Sequence, residues 1–375
     1  MGCQHQRKRI LLADVRTERL PGIELLRFAA AFAVLLAHYN HFFIHGYAYR
    51  GYAYEKQPLF AAFAPFYHYG TRAVEVFWCL SGFVFFYRYD TLNDRRLSFR
   101  QFFWLRFSRL YPLHLLTLLL VAGLQWTYYR LNGTYFVVEI NNAKHFLLNL
   151  FFASYWGFQD GFSFNAPVWS VSLEILAYGF FFGVSYWLGS GLFLTSVCLV
   201  MCVAANHYTG TEPILVRCIF FFYLGGLSCG IFRASRRRLG PGKEYLTLLP
   251  MTALLVVAAA AFQRSANLEW ILQLGVPSAL IILATASRLF PKALAHGAMA
   301  LGNLTYASYL IHFPLQILAM IICGVAHVPE GSAYSPLFLF GYLAVVFGLS
   351  HAIYSRIEMP AQELIRARML PRLAV

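Results

Sequence analysis

Long apolar stretches of about twenty residues recur along the chain, and no other feature limits the fold as strongly. A helix of about 20 apolar residues crosses the hydrocarbon core of a bilayer. Only 12% of the residues are charged, about half the fraction usual in soluble domains. We therefore predict an all-α polytopic membrane protein with about ten transmembrane helices. The predicted spans lie near 22–43, 72–90, 109–128, 166–187, 190–207, 213–232, 245–263, 268–287, 298–323 and 335–357.

The distribution of positive charge predicts the orientation in the membrane. If both termini are cytoplasmic, the cytoplasmic segments hold 22 of the 30 Lys and Arg residues and the outer segments hold seven. This asymmetry follows the positive-inside rule. The net charge of +14 therefore indicates the orientation of the protein in the membrane and its contact with the lipid bilayer. A nucleic-acid partner is not expected. The predicted organisation is a cytoplasmic basic N-terminus (1–21), a membrane domain (22–357) and a cytoplasmic basic tail (358–375).

The first predicted span carries two ionisable residues, Arg27 and His38. Eleven residues are three helical turns plus about 20°, so both side chains point the same way, about 16 Å apart along the axis. Ionisable groups inside a membrane are costly and mark candidate sites. His38 can act as a general base, or it can be a structural histidine bonded inside the bundle. His38, His41 and His45 also form a row that could bind a metal, but no nearby carboxylate or Cys completes it, and no metal is expected.

Three further motifs place polar residues at or near the predicted spans. In "RFSRLYP", Arg106 and Arg109 lie one turn apart, a pattern that suits a phosphate ligand but also simple anchoring at the cytoplasmic face. In "VEVFWCLSGF", Glu75 lies at the outer edge of the second span, and the small residues Ser81 and Gly82 follow about midway along that span. In "NAPVWSVSLE", Glu174 lies about two turns into the fourth span, where a carboxylate needs a partner.

These motifs resemble, in the same order, those of the acyltransferase-3 family of integral membrane O-acyltransferases. The opening "LPGIELLRFAAAFAVLLAHYNHF" is similar to that family's signature of a basic residue, ten positions and a histidine. "VEVFWCLSGFVFF", "RFSRLYPLHL", "APVWSVSLEIL" and "LGNLTYASYLIHFPL" are similar to its later motifs. The resemblance extends over nearly the whole chain, from about Gly22 to about Tyr354.

The resemblance implies an O-acetyltransferase that moves an acyl group, usually acetyl from acetyl-CoA, to a hydroxyl of an extracytoplasmic or lipid-linked glycan. It implies catalytic roles for His38, Arg27 and Glu174, and a role in acyl-CoA binding for Arg106 and Arg109. Acetyl-CoA is then a donor substrate, and no cofactor is expected to stay bound. The expected location is the bacterial inner membrane.

Two points about the site stay open. Glu75, Trp169 and Ser170 are expected to contact substrate, and Arg27 or Ser170 could stabilise an oxyanion. His38 could act as a base or form an acyl-histidine. A transporter that uses the same Arg, His and Glu residues is the main alternative from another class, and a non-catalytic scaffold is a third.

Overall fold

The chain folds into helices joined by short irregular segments. The computed structural model describes residues 19–45, 47–49, 53–89, 98–209, 213–248, 268–269 and 271–370. A two-residue antiparallel pair, Ile44–His45 with Ala48–Tyr49, is the strand structure of the described part. The α-helices are α1 (Pro21–His38), α2 (Phe60–Tyr69), α3 (Ala73–Arg88), α4 (Phe99–Asn132), α5 (Ala143–Leu150), α6 (Trp169–Trp187), α7 (Leu192–Thr209), α8 (Ile214–Leu239), α9 (Val276–Ala286), α10 (Lys292–Val325), α11 (Pro336–Ile353) and α12 (Met359–Met369).

Six helical segments of the described chain are long and apolar enough to cross a membrane. They are Pro21–Phe43, Phe99–Asn132, Ala166–Trp187, Ile214–Leu239, Lys292–Val325 and Pro336–Met369, and each overlaps a predicted span. An all-helical multi-pass membrane protein is thereby confirmed.

The other four predicted spans give different results. Two correspond to shorter apolar helices, Leu192–Tyr208 and Ile271–Ala286. The window at 72–90 contains α3, whose 16 residues are fewer than a full crossing usually needs. The window at 245–263 lies almost wholly outside the described residues. The number ten and the orientation of the termini therefore stay predictions.

The chain divides into two compact units. The first comprises Met1–Arg27, Val74–Phe99 and Ala177–Gly302. Within it, α3 and α8 approach backbone to backbone, because a Cβ on Gly82 would overlap the carbonyl of Phe222, and one on Gly225 would overlap that of Cys79. Small residues allow this close approach between membrane helices. The Ser81-Gly82 pair of the sequence lies at this close approach of the two helices.

The second unit comprises Phe28–Ala73, Arg100–Leu176 and Asn303–Val375. One apolar cluster packs the end of α1 against α11, with Leu35, Tyr39, Leu339 and Val346 fully buried. A second cluster packs α4 against α10 and the chain after α4. Together these clusters fix the end of α1 beside the middle of α10, where the candidate site lies.

A proline inside α10 creates a polar requirement that another segment meets. Pro314 has no N–H, so the carbonyl of Leu310, four residues earlier, lacks its usual helical donor. The amide of Asn165 donates to that carbonyl at 2.9 Å. Because a free backbone carbonyl is costly in a membrane, this bond ties the segment before α6 to α10.

Candidate active site

Two histidines from different helices meet in the second unit. His38, the last residue of α1, lies with its Nδ1 2.9 Å from Nε2 of His312 in α10. The rings are nearly parallel, with centroids 5.1 Å apart. His312 is fully buried, whereas His38 is partly exposed and lines a cavity. The predicted histidine of the opening motif therefore has a second histidine behind it.

The partners of His312 determine which nitrogen of each ring carries a proton. Nδ1 of His312 lies 2.7 Å from the carbonyl oxygen of Tyr309, which can only accept. Nδ1 of a neutral His312 is therefore the donor, and its Nε2 is the acceptor. His38 must then donate from Nδ1, which leaves a lone pair on its Nε2. A doubly protonated His312 would place a charge at a fully buried position, where an uncompensated charge is costly.

A glutamine fixes the backbone and the neighbouring ring at the same point. Gln316 donates from Nε2 to the carbonyl of His38 at 2.7 Å. Its Oε1 lies 3.0 Å from Nδ1 of His41 and therefore accepts from that nitrogen. The His41 ring stacks on His38, with centroids 4.8 Å apart. Both rings line the cavity, and the same protonation pattern leaves Nε2 of each as an acceptor.

The Trp-Ser motif supports the histidine pair from behind. Oγ of Ser170 lies 2.7 Å from the hydroxyl of Tyr309, and that hydroxyl donates to the carbonyl of Pro167. Glu174, one turn later in α6, is close enough to the Tyr309 hydroxyl to interact electrostatically with it. Ser170 is buried, so the structure places it against the residue whose carbonyl holds His312.

The cavity in front of His38 has a volume of about 360 Å³, at the lower end of the range for ligand sites. One wall is formed by His38 and His41, and another by Trp169 together with Ala166 and Pro167. The remaining lining residues come from two stretches between α4 and α6, which are 137–140 and 160–162. Trp169 is thus the predicted substrate residue that the structure brings to the same cavity as His38.

The two arginines of α4 lie in the same unit, beside the C-terminal helices. Glu358, which is buried, interacts electrostatically with Arg109. Arg366 of α12 donates from Nε to Oγ of Ser108 at 3.2 Å. Arg106 and Arg109 are both half-buried. A third arginine therefore approaches the α4 pair from the end of the chain.

The position of the arginines along α10 relates them to the histidines. The hydroxyl of Tyr306 donates to the carbonyl of Leu110, next to Arg109, at 2.7 Å. His312 lies six residues further along α10, which is about 9 Å of helix. The α4 backbone next to Arg109 and the His38 ring therefore contact α10 at residues that lie six positions apart.

Two predicted site residues belong to the first unit and have other partners there. Arg27 donates from Nη1 to Glu24, one turn earlier in α1, at 2.9 Å, and Glu24 also accepts from Arg19. Glu75 accepts from the buried Arg217 at 2.9 Å, and Arg217 also binds Glu269. Their roles in catalysis and substrate binding stay predictions.

A metal site needs several acidic, cysteine or histidine side chains close together. Within the part of the chain that the structure describes, no group of three such side chains is arranged to hold a metal ion. The third member of the sequence row, His45, lies in the short strand pair, and its side chain is outside the described ones.

Several residues of the site were not selected from the sequence. His312 lies within the motif "LGNLTYASYLIHFPL", and a histidine two residues before an intramembrane proline is a usable signal. Glu139, Asp160 and Phe162 line the cavity from irregular segments. No periodic pattern marks such residues, because segments distant in sequence bring them together.

A multi-pass helical protein with a histidine acceptor nitrogen in a cavity fits the class of membrane enzymes that use a base. The family comparison agrees with this class. The acyltransferase-3 family model, described as an acyltransferase domain, matches residues 20–355, and the chain belongs to this family. It is therefore a membrane acyltransferase. The searches of curated proteins and of solved structures gave no match.

Proposed function

We propose that the protein is an O-acyltransferase that moves an acyl group, in the first instance acetyl, from cytoplasmic acyl-CoA to a saccharide hydroxyl outside the cytoplasm. The observation that carries this proposal is the His38–His312 pair. His312 fixes His38 in the tautomer whose Nε2 is an acceptor, and His38 lines the cavity.

The proposed reaction uses Nε2 of His38 as the base. It accepts the proton of the acceptor hydroxyl while the hydroxyl oxygen attacks the thioester carbonyl. The tetrahedral intermediate collapses with cleavage of the carbon–sulfur bond. The proton on Nε2 passes to the departing CoA sulfur, so the products are the ester and free CoA. Attack by Nε2 itself, giving an acyl-histidine, is the alternative that uses the same lone pair.

The donor is assigned to the arginines of α4 and α12. CoA carries several phosphate charges, and arginine binds phosphate oxygens in a bidentate manner. Arg106, Arg109 and Arg366 supply three guanidinium groups around Ser108 and Glu358. The thioester arm is then proposed to extend along α10 toward His312 and His38.

The other predicted residues have supporting roles in this scheme. Glu174 and Ser170 hold Tyr309, whose carbonyl orients His312. Trp169 contacts the acceptor in the cavity. A catalytic role for Arg27 is proposed from the family motif alone, and its described partner is Glu24.

The function is tested by comparing two adjacent histidines. His38→Ala should abolish acylation while the protein is still inserted at a normal level, because a general base contributes about 10²–10⁴-fold in rate. His41→Ala removes a cavity-lining ring of the same type and should keep most of the activity. Acylation is measured by mass spectrometry of surface glycans from cells that express each variant. Retained acylation in His38→Ala refutes the mechanism.

The proposed orientation, in a bacterial inner membrane, has a separate test. Reporter fusions after Ser235 and at the C-terminus should both report the cytoplasm. Ser235 lies within one of the basic segments on which the orientation rests, and the C-terminus follows another. An external signal at either fusion point rejects the orientation and with it the cytoplasmic donor.

A further inference from the structure

The cavity in front of His38 combines aromatic side chains with carboxylates. Phe162 and Trp169 line it, and their ring centroids are 6.2 Å apart. Tyr155 stacks on Phe162 at 5.5 Å, which orients a ring whose surface is 49% exposed. Asp160 and Glu139 line the same cavity. Aromatic rings offer flat apolar faces and carboxylates accept hydrogen bonds, and a ligand with several hydroxyls and one C–H face uses both.

The segment that carries Asp160 and Phe162 is held by α5. The backbone N–H of Asp160 donates to Nε2 of His145 at 3.1 Å, and the Asp160 carboxylate binds Nζ of Lys144 at 2.8 and 2.9 Å. Asn149 donates to Ser163 at 3.0 Å, just beyond Phe162. The first bond holds the backbone of Asp160, and the last holds the side chain of the residue that follows Phe162, so the lining segment is preorganised.

The opposite segment, which carries Glu139, is fixed by α4. Both polar groups of the Gln125 side chain bond to the backbone of Phe136, one as a donor at 3.0 Å and one as an acceptor at 2.9 Å. Phe136 is buried, and the lining stretch begins at the next residue, Val137. Both carboxylates therefore lie on segments held by buried hydrogen bonds.

The charge of the lining is acidic apart from the histidines. No lysine or arginine is among the described residues that line this cavity. Lys144 lowers the pKa of the Asp160 carboxyl, so Asp160 is ionised at neutral pH. Lys144 offsets part of that charge, while Glu139 is exposed and paired with no described side chain. An anionic ligand would meet like charge here, which is unfavourable.

We propose that Asp160, Glu139, Phe162 and Trp169 form a subsite for one uncharged sugar ring and select against sugars that carry a carboxylate. The sugar ring stacks on the aromatic side chains, and the two carboxylates accept hydrogen bonds from its hydroxyls. A further hydroxyl of the ring faces His38. This inference rests on the proposed function and adds the charge class of the acceptor and the residues that set it.

Binding is tested with two matched probes, p-nitrophenyl β-glucoside and p-nitrophenyl β-glucuronide, which differ in one carboxylate. Saturation-transfer NMR on the protein in nanodiscs without acyl-CoA should show tighter binding of the glucoside. Asp160→Asn keeps the shape and removes the charge, and should reduce that preference about tenfold. Glu139→Gln, at an exposed position, should have the same direction of effect. Glu55→Gln, an exposed carboxylate outside the cavity lining, is the control and should leave the preference unchanged.

Three results would overturn the inference: equal binding of the two probes, no binding of either, or preferred binding of the glucuronide. If glucuronide binding is preferred and is lost in Lys144→Gln, Lys144 is an anion site and the charge assignment is reversed. These binding results do not depend on acyl transfer. A loss of selectivity while His38-dependent acylation persists refutes the subsite alone, and selective binding without acylation refutes the proposed function alone.

Discussion

Replacing His312 by leucine tests whether the second histidine sets the chemistry of the first. The substitution fills the position with an apolar side chain of similar size and removes the acceptor of the His38 Nδ1–H. The proposed CoA-binding arginines, Arg106 and Arg109, are untouched. We therefore expect a lower kcat with an unchanged KM for acetyl-CoA.

The size of the effect follows from the lost hydrogen bond. A buried donor without an acceptor costs about 1–3 kcal/mol, which favours rotation of the His38 ring or the other tautomer. Each 1.4 kcal/mol is a tenfold change in population, so the productive form of His38 falls about 5- to 150-fold. A loss of about 10- to 100-fold in kcat is expected, similar to the effect of removing the hydrogen-bond partner of a metal-ligating histidine.

The assay combines turnover with a direct observation of the ring. CoA thiol release with a glycoside acceptor gives kcat and KM, and ¹⁵N NMR of labelled histidine reports which ring nitrogen is protonated. His114→Leu is the matched control, because His114 is also buried and its Nε2 lies 2.7 Å from the carbonyl of Asn149. It should lower stability by a similar amount while leaving the His38 ¹⁵N signals and kcat near wild type.

Two results would refute the reasoning about His312. One is a wild-type protein in which neutral His38 carries its proton on Nε2. The other is a His312→Leu variant with unchanged kcat. Equal losses of kcat in His312→Leu and His114→Leu would mean that the lower kcat results from general destabilisation of the protein.

The remaining predictions concern the donor, the fold and pH. Arg106→Ala and Arg109→Ala should each weaken acetyl-CoA binding about tenfold, as measured by calorimetry. Arg109→Lys should lose less affinity, since lysine keeps the charge but not the bidentate guanidinium geometry. Unchanged affinity in the double alanine variant would mean that the pair only anchors the helix at the membrane surface. Asn165→Leu should lower the free energy of unfolding by about 1–3 kcal/mol, and adding Pro314→Ala, which restores a backbone N–H, should recover part of it; additive losses would contradict the proposed bond. Burial lowers the pKa of His145, so the unfolded chain binds more protons, and the melting temperature should fall as pH drops below about 6.5. That fall should be smaller in His145→Gln, and an identical fall would reject the linkage.

The apolar windows alone determined that the chain is a helical multi-pass membrane protein. A segment of about 20 apolar residues has few stable alternatives to a membrane helix, because its backbone groups must bond internally in lipid. The ordered motifs also determined the family and pointed to His38, since an ionisable residue within a span is rare without a reason. Both conclusions depend on the residues within single segments of the chain, and those residues can be read directly from the sequence.

Only the tertiary structure decided what stands beside His38. His312 is 274 residues away in the chain, and its proton position depends on a carbonyl that no pattern identifies. The cavity likewise joins α1 and α6 to two irregular segments, whose carboxylates have no periodicity to mark them. The Trp-Ser motif predicts that Ser170 contacts substrate, and only the tertiary structure shows its hydrogen bond to Tyr309. A hydrogen bond depends on distance and direction in space, and those are set by helix packing between segments far apart in sequence.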